Sequence, residues 1–229
     1  MDFQEGEILV FDKPLTWTSF DIVNKIRREL CKKLGVKKLK VGHAGTLDPL
    51  ATGVVIVCTG KKTHEIERLM NHTKEYVATL QLGATTPCFD REQPVDATYP
   101  TEHITRQLID EVIPQFLGEQ WQVPPMYSAV RVDGRRAYDL ARKGQEVELK
   151  AKLLVIDEIE VLGFDAEQMQ LEIRVVCSRG TYIRALARDI GQRLNSGAYL
   201  TSLRRTRVGA YTLENAYTID SFLSQHVNC

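Results

Sequence analysis

Gly42-His43-Ala44-Gly45-Thr46-Leu47-Asp48-Pro49-Leu50-Ala51-Thr52-Gly53 packs three glycines and a proline into twelve residues. Glycine tolerates positive φ and close backbone approach, and Pro49 keeps Asp48 out of the α region. The stretch is therefore expected to be neither a regular helix nor a central strand. It reads as a shaped loop carrying one carboxylate, Asp48, between the apolar Leu47 and Leu50. A loop so constrained around a single acid looks built to aim that acid.

Regular elements are expected on both sides. Gly6–Asp12 reads as a short buried strand ended by Lys13-Pro14. Thr18 or Ser19 can cap a helix to about Leu34, with Ile22, Val23, Ile26, Leu30 and Leu34 on its apolar stripe. After the loop, Val54–Cys58 reads as a strand and residues 62–71 as a helix. Residues 74–82 alternate, with Tyr76, Ala78, Leu80 and Leu82 on one face. A helix capped by Thr101 is expected to about Phe116, a strand at Ser128–Val132 and a short helix at 135–143. Residues 153–162 and 169–177 form a hairpin pattern turning at 163–167, with Met169, Leu171, Ile173, Val175 and Cys177 facing the core. A helix over 182–195, strands at 198–203 and 207–212, and a helix at 219–224 complete the chain. The pattern predicts an α+β fold: a mixed, mainly antiparallel sheet flanked by helices and loops. The expected organisation is one catalytic domain over 1–229, with 84–150 as a flanking loop and helix region.

The chain has 229 residues, 43% hydrophobic and 26% charged, enough for a proper core. No apolar run is long enough to span a bilayer, and the acidic start lacks a signal peptide's basic region, which predicts a cytoplasmic protein with no membrane partner. The five cysteines are scattered without a C-x-x-C pair, so neither a metal site nor a disulfide framework is expected. Formal net charge is zero, yet Lys25, Arg27, Arg28, Lys32, Lys33, Lys37, Lys38 and Lys40 gather in sixteen residues against one acid, Glu29. Further basic groups sit at Arg131/Arg135/Arg136/Arg142/Lys143 and Arg204/Arg205/Arg207. This segregation suits an anion-facing side, with solvated helix faces as the plain alternative.

Two further segments carry chemistry. Cys177-Ser178-Arg179-Gly180-Thr181-Tyr182-Ile183-Arg184 runs from a strand into a helix, and Arg184, beside the apolar stripe, can reach inward. Arginine stays charged and can hold a carboxylate in bidentate fashion, which suits an acid that must remain ionised. Tyr76 shares the apolar face of its strand yet carries a hydroxyl. Taken alone it reads as a core tyrosine.

These segments resemble the TruB family of tRNA pseudouridine synthases. Phe11-Asp12-Lys13-Pro14, Trp17-Thr18-Ser19, Pro124-Pro125-Met126-Tyr127-Ser128-Ala129-Val130, Gly134 and Tyr138 extend the resemblance over residues 7–210. It implies isomerisation of the T-loop uridine at position 55, with Asp48 attacking the base or the sugar. Arg184 of Gly-Thr-Tyr-Ile-Arg pairs with that acid, and Tyr76 stacks on the flipped base and assists proton transfer. His43 is implied to hold the opened RNA, with a turn brace as its other reading. Tyr182 and Leu200 fall among the RNA-contacting positions; Leu200 reads equally as core. Lys13 has two open roles, phosphate contact or brace. The implied partner is the T arm of tRNA. No cofactor or metal is expected, since no P-loop, Rossmann or metal-ligand pattern is present, and the chain is expected to be a monomer.

The chain departs from the family pattern in two places. His64 stands where many bacterial members carry a lysine, leaving Lys61 or Lys62 as the substitute. The family's Thr-Asp-Thr-x-Asp reads Thr86-Pro87-Cys88-Phe89-Asp90 here, keeping one acid. A C-terminal PUA-type domain is not expected, which shifts the grip on RNA to residues 25–40. Competing readings are a pseudouridine synthase with another RNA target or a guide and partners, a non-catalytic tRNA-binding or folding protein, and an Asp-nucleophile hydrolase.

Overall fold

Thr18 opens the first helix, α1 (Ser19–Leu34), with a capping box. Its Oγ1 accepts from the Asp21 amide at 3.0 Å, and the Asp21 carboxylate accepts from the Thr18 amide at 2.8 Å. Gly35 closes the helix with φ 64°. Ile22, Val23, Ile26 and Leu30 are buried, as their spacing predicts.

The structure is a computed structural model that describes residues 1–128, 130–132, 134–137 and 148–228. The strands are β1 (Ile8–Lys13), β2 (Val41–His43), β3 (Ala51–Thr59), β4 (Lys74–Leu82), β5 (Ala84–Thr85), β6 (Ala97–Thr98), β7 (Gly118–Gln122), β8 (Arg131–Val132), β9 (Arg135–Arg136), β10 (Lys152–Asp165), β11 (Gln170–Cys177), β12 (Ala198–Val208) and β13 (Tyr211–Thr212). The remaining helices are α2 (Ile66–Met70), α3 (Arg106–Val112), α4 (Ile183–Arg193) and α5 (Ile219–His226), with 3₁₀ turns at Gly60–Glu65 and Ile113–Phe116. The α+β class is as expected. No helix among the described residues is long and apolar enough to cross a membrane.

The chain divides into two compact units, one of Met1–Tyr76 with Leu203–Cys229 and one of Val77–Ser202. In the first, β3 pairs antiparallel with β1 and β2 and parallel with β12, Arg205 standing opposite Gly53. Val54, Ile56, Cys58 and Leu69 form its core with Ala44 and Val208. In the second, the order runs β4–β11–β10–β7. Leu171, Ile173, Val175 and Cys177 are buried on β11.

Several expectations need correction. Residues 42–53 are not all loop: Val41–His43 and Ala51–Thr59 are strands, leaving Ala44–Leu50 as the irregular part. Gly53 is a strand residue because β12 passes so close that a Cβ there would lie 2.1 Å from the Arg205 carbonyl oxygen, and its φ is 108°. The cap of α3 is Thr105, not Thr101. The expected helix over 62–71 is a 3₁₀ turn followed by α2. Met169 has φ 50° and lies in the hairpin turn rather than on the core face, because β10 runs on to Asp165. The expected strands 198–203 and 207–212 are one strand, β12, plus the short β13. Edge strand β7 and the β5–β6 hairpin lie in the region read as loops and helices. The strand expected at 128–132 is the two-residue β8. Of the short helix expected at 135–143, Arg135–Arg136 is strand β9. Residues 138–143, with Tyr138, Arg142 and Lys143, lie outside the described residues, as do Ala129 and Cys229.

Candidate active site

Asp48 is half-buried on the segment Ala44–Leu50, and the first unit grips that segment from three sides. Ser19, at the start of α1, accepts from the Leu47 amide at 2.9 Å, and its hydroxyl donates to the Leu47 carbonyl at 3.3 Å. Arg205, only 1% exposed, donates to the carbonyls of Gly45 and Thr46 at 3.2 Å and of Val54 at 2.8 Å. Lys13, fully buried, donates to the carbonyls of Trp17 at 2.6 Å, Pro14 at 3.0 Å and Pro49 at 3.4 Å. The Asp48 carbonyl itself accepts from the Ala51 amide at 3.0 Å. A loop held at Gly45, Thr46, Leu47 and Pro49 leaves the acid between them little freedom. Such buttressing is what a positioned nucleophile requires.

Of the two roles open to Lys13, these contacts fit the brace. Burial lowers its pKa to about 8; the Asp48 carboxylate opposes that shift, and Arg205 and Asp21 add smaller effects of opposite sign. His43 precedes the gripped segment on β2. Burial holds its pKa below the ordinary histidine value. Its Nδ1 is buried with no hydrogen-bond partner among the described residues. Tyr76 sits on the buried face of β4, 8% exposed. Lys61 is on the surface, its ammonium 2.7 Å from the Glu5 carboxylate.

The second unit holds Arg184, Tyr182 and Leu200. Arg184, 6% exposed in the first turn of α4, donates to the carbonyls of Cys88 at 3.2 Å and Tyr127 at 3.0 Å. Its Nε stands 3.6 Å from the Asp90 carboxylate. The turn Thr86–Asp90 that supplies Cys88 and Asp90 is closed by Thr86 Oγ1 donating to the Asp90 carbonyl at 2.7 Å, with Phe89 at φ 61°. The Arg188 guanidinium lies 5.1 Å from the Phe89 ring centroid. Leu200 is buried, and its amide donates to the Phe89 carbonyl at 3.0 Å. Tyr182 caps α4, its amide donating to Gln122 at 2.9 Å.

In the Arg204/Arg205/Arg207 cluster, Arg204 and Arg207 stay part-exposed while Arg205 is withdrawn into the core. Arg204 pairs with Asp12 at 2.8 Å, Arg207 with Glu75 at 3.2 Å, and Arg205 is buried. A sheet-interior strand turns these charges toward partners within the unit. In the 25–40 segment, Lys25 and Arg28 share Glu29, and Arg27 donates to the Val41 carbonyl. Lys32, Lys33, Lys37, Lys38 and Lys40 are exposed. Sequence reasoning missed Ser19, Arg205 and Tyr127. Arg205 was concealed by its basic neighbours, which made a buried brace look like a surface patch.

The chain as a whole is similar to known proteins. Residues 31–183 match the N-terminal domain of the TruB family pseudouridylate synthases, and residues 184–228 match the tRNA pseudouridylate synthase B C-terminal domain. A tRNA pseudouridine synthase B of Phocaeicola vulgatus is 67% identical over 97% of this chain and 94% of its own length. One of Flavobacterium johnsoniae is 49% identical over 96% of each. Among solved structures, the chain is similar to one in a Cbf5-Nop10-Gar1 complex, with TM-score 0.71 and 29% identity. The match covers 98% of this chain and 56% of that one.

Proposed function

The chain belongs to the TruB family of pseudouridylate synthases, and from that premise we propose that it converts the T-loop uridine at position 55 of tRNA to pseudouridine, with Asp48 as nucleophile. The observation that carries this reading is the half-buried Asp48 on a segment braced by Ser19, Arg205 and Lys13. A binding protein has no need to immobilise one acid in this way.

The reaction breaks the N1–C1′ bond, turns the base and joins C5 to C1′. C5 gives up a proton and N1 receives one, so composition is unchanged. Asp48 attacks either the base or C1′; both routes need an ionised, oriented carboxylate. Arg184 supplies the cation that pairs with Asp48. Tyr76 stacks on the flipped base and assists proton transfer. His43, Tyr182 and Leu200 contact the opened loop, and Lys61 with the exposed lysines of residues 32–40 meets phosphate. The enzyme acts as a monomer in the cytoplasm on the T arm of tRNA.

A second reading, modification directed by a guide RNA and partner proteins, draws on similarity to a chain in an H/ACA RNP bound to a substrate RNA, at 28% identity and TM-score 0.67. The purified chain and a bare T-arm stem-loop decide between them. Pseudouridine at the single T-loop uridine supports autonomous action on tRNA. Binding without modification until a guide is supplied supports the second reading.

A further inference from the structure

Arg188 lies one helical turn beyond Arg184 on α4, so the two side chains leave the same face of the helix. Its side chain is only 17% accessible. Nη2 donates to the Val123 carbonyl at 3.1 Å, Nε donates to the Asp189 carboxylate at 2.8 Å, and the guanidinium lies 5.1 Å from the Phe89 ring centroid. We propose that Arg188 is a positioning residue for the isomerisation, ordering the two segments that carry the carbonyl acceptors of Arg184. This inference rests on the functional reading above.

Those acceptors are the carbonyls of Cys88 and Tyr127. Arg188 touches the residue after the first, Phe89, and the root of the loop that carries the second, Val123. The chain between Val123 and Tyr127 is stiff, because Pro124 and Pro125 have a fixed φ. The Ser128 amide tightens it further by donating to the Met126 carbonyl at 2.9 Å. Gln122, 4% exposed, anchors the same root to the start of α4: its side chain accepts from the Tyr182 amide at 2.9 Å and donates to the Tyr182 carbonyl at 3.2 Å. A segment tied to α4 through Arg184 alone could pivot about that tie. A second tie one turn along the helix removes that freedom, and with it the freedom of the Arg184 guanidinium.

The residue type suits the task. A planar guanidinium can lie over a ring and donate within its own plane at the same time, which an ammonium does less well. Asp189 fixes that plane from the next position in the helix. Burial pushes the Asp189 carboxyl up, and the adjacent Arg188 charge is the main effect opposing the shift. Phe89 stands at the x of the family's Thr-Asp-Thr-x-Asp segment, so the family pattern does not prescribe its contact with Arg188.

The test uses the full chain and an unmodified tRNA transcript. Arg188→Ala is expected to slow single-turnover pseudouridine formation about tenfold, with tRNA affinity within about twofold of wild type. Arg188→Lys keeps the charge without the planar fork and is expected to come within about threefold of the wild-type rate. In an Arg184→Lys background, Arg188→Ala is expected to slow the reaction less than about twofold further, because the group it positions is already altered. Amide exchange at Val123, Met126, Tyr127 and Ser128 is expected to quicken about tenfold in Arg188→Ala, with exchange in β11 unchanged. Should Arg188→Ala fail to fold, Arg188→Met, which keeps an apolar stem against Phe89, takes its place. A rate within about twofold of wild type, or a loss of about tenfold repeated in the Arg184→Lys background, overturns the proposal. A wild type that binds tRNA but modifies no uridine breaks the functional reading; amide exchange then decides the ordering by itself, unchanged exchange overturning it and faster exchange upholding it.

Discussion

Two short irregular segments, Ala44–Leu50 in one unit and Thr86–Asp90 in the other, are each organised around a buried arginine, and they are built in opposite ways. Arg205 directs its fork at carbonyls, those of Gly45, Thr46 and Val54. Arg184 binds two carbonyls and also faces the carboxylate of Asp90 at 3.6 Å. In the first segment, glycine carries the left-handed backbone, at Gly45 with φ 98° and at nearby Gly53 with φ 108°. In the second, Phe89 carries it at φ 61° and gains a guanidinium over its ring. The contrast separates an arginine bound to carbonyls alone from one that also faces a carboxylate.

The largest effect expected to sharpen this contrast is at Gly53. A Cβ there meets β12 backbone at 2.1 Å in a left-handed conformation, so Gly53→Ala is expected to cost about 3 kcal/mol or more. Thermal unfolding measures it, and a loss under about 1 kcal/mol would refute the close approach. Next are the two arginines. Arg205→Leu orphans several buried carbonyls and is expected to cost about 3 kcal/mol of stability. Arg184→Lys keeps the charge but loses the planar fork, and is expected to slow single-turnover isomerisation about 100-fold with a smaller stability change. Equal stability losses with no difference in rate would erase the distinction.

Lys13 supplies a pH test. Its pKa is lowered to about 8, so the ammonium that braces Trp17, Pro14 and Pro49 is lost as pH rises through that value. The isomerisation rate is expected to fall above about pH 8. Because the folded value lies below that of an unfolded lysine, the unfolded chain binds more protons between about pH 8 and 10.5. This group therefore adds stability as pH rises across that window, so the rate loss is not unfolding. A flat rate profile accompanied by falling stability would contradict the brace. The smallest effect is at Gly45, where the nearest atom to an added Cβ is 3.9 Å away. Only backbone strain remains, so Gly45→Ala is expected to cost about 1 to 2 kcal/mol.

The same contrast explains what could be read from the sequence. Glycine and proline announced the first segment, and the Asp48 it carries was legible at once. The second segment stood out only as a departure from the family pattern, and its turn was hidden because its positive φ falls on a phenylalanine, which gives no turn signal. Amphipathic elements such as α1 and β4 were readable because burial follows their periodicity. Strand β12 was read as two because Arg204, Thr206 and Arg207 resemble surface residues until Asp12 and Glu75 appear beside them. Strand β7, Gly-Glu-Gln-Trp-Gln, has no apolar alternation and is recognisable only through its pairing with β10. Arg205 belongs to the same class: its role depends on three carbonyls far away in sequence.

The measurement that bears most directly on the account is single-turnover pseudouridine formation on an unmodified tRNA transcript by wild type and Asp48→Asn, with tRNA affinity measured in parallel. The account predicts pseudouridine only at the T-loop uridine with wild type, and none with Asp48→Asn at an affinity within about threefold of wild type. Pseudouridine formed by Asp48→Asn at a rate near that of wild type would contradict it.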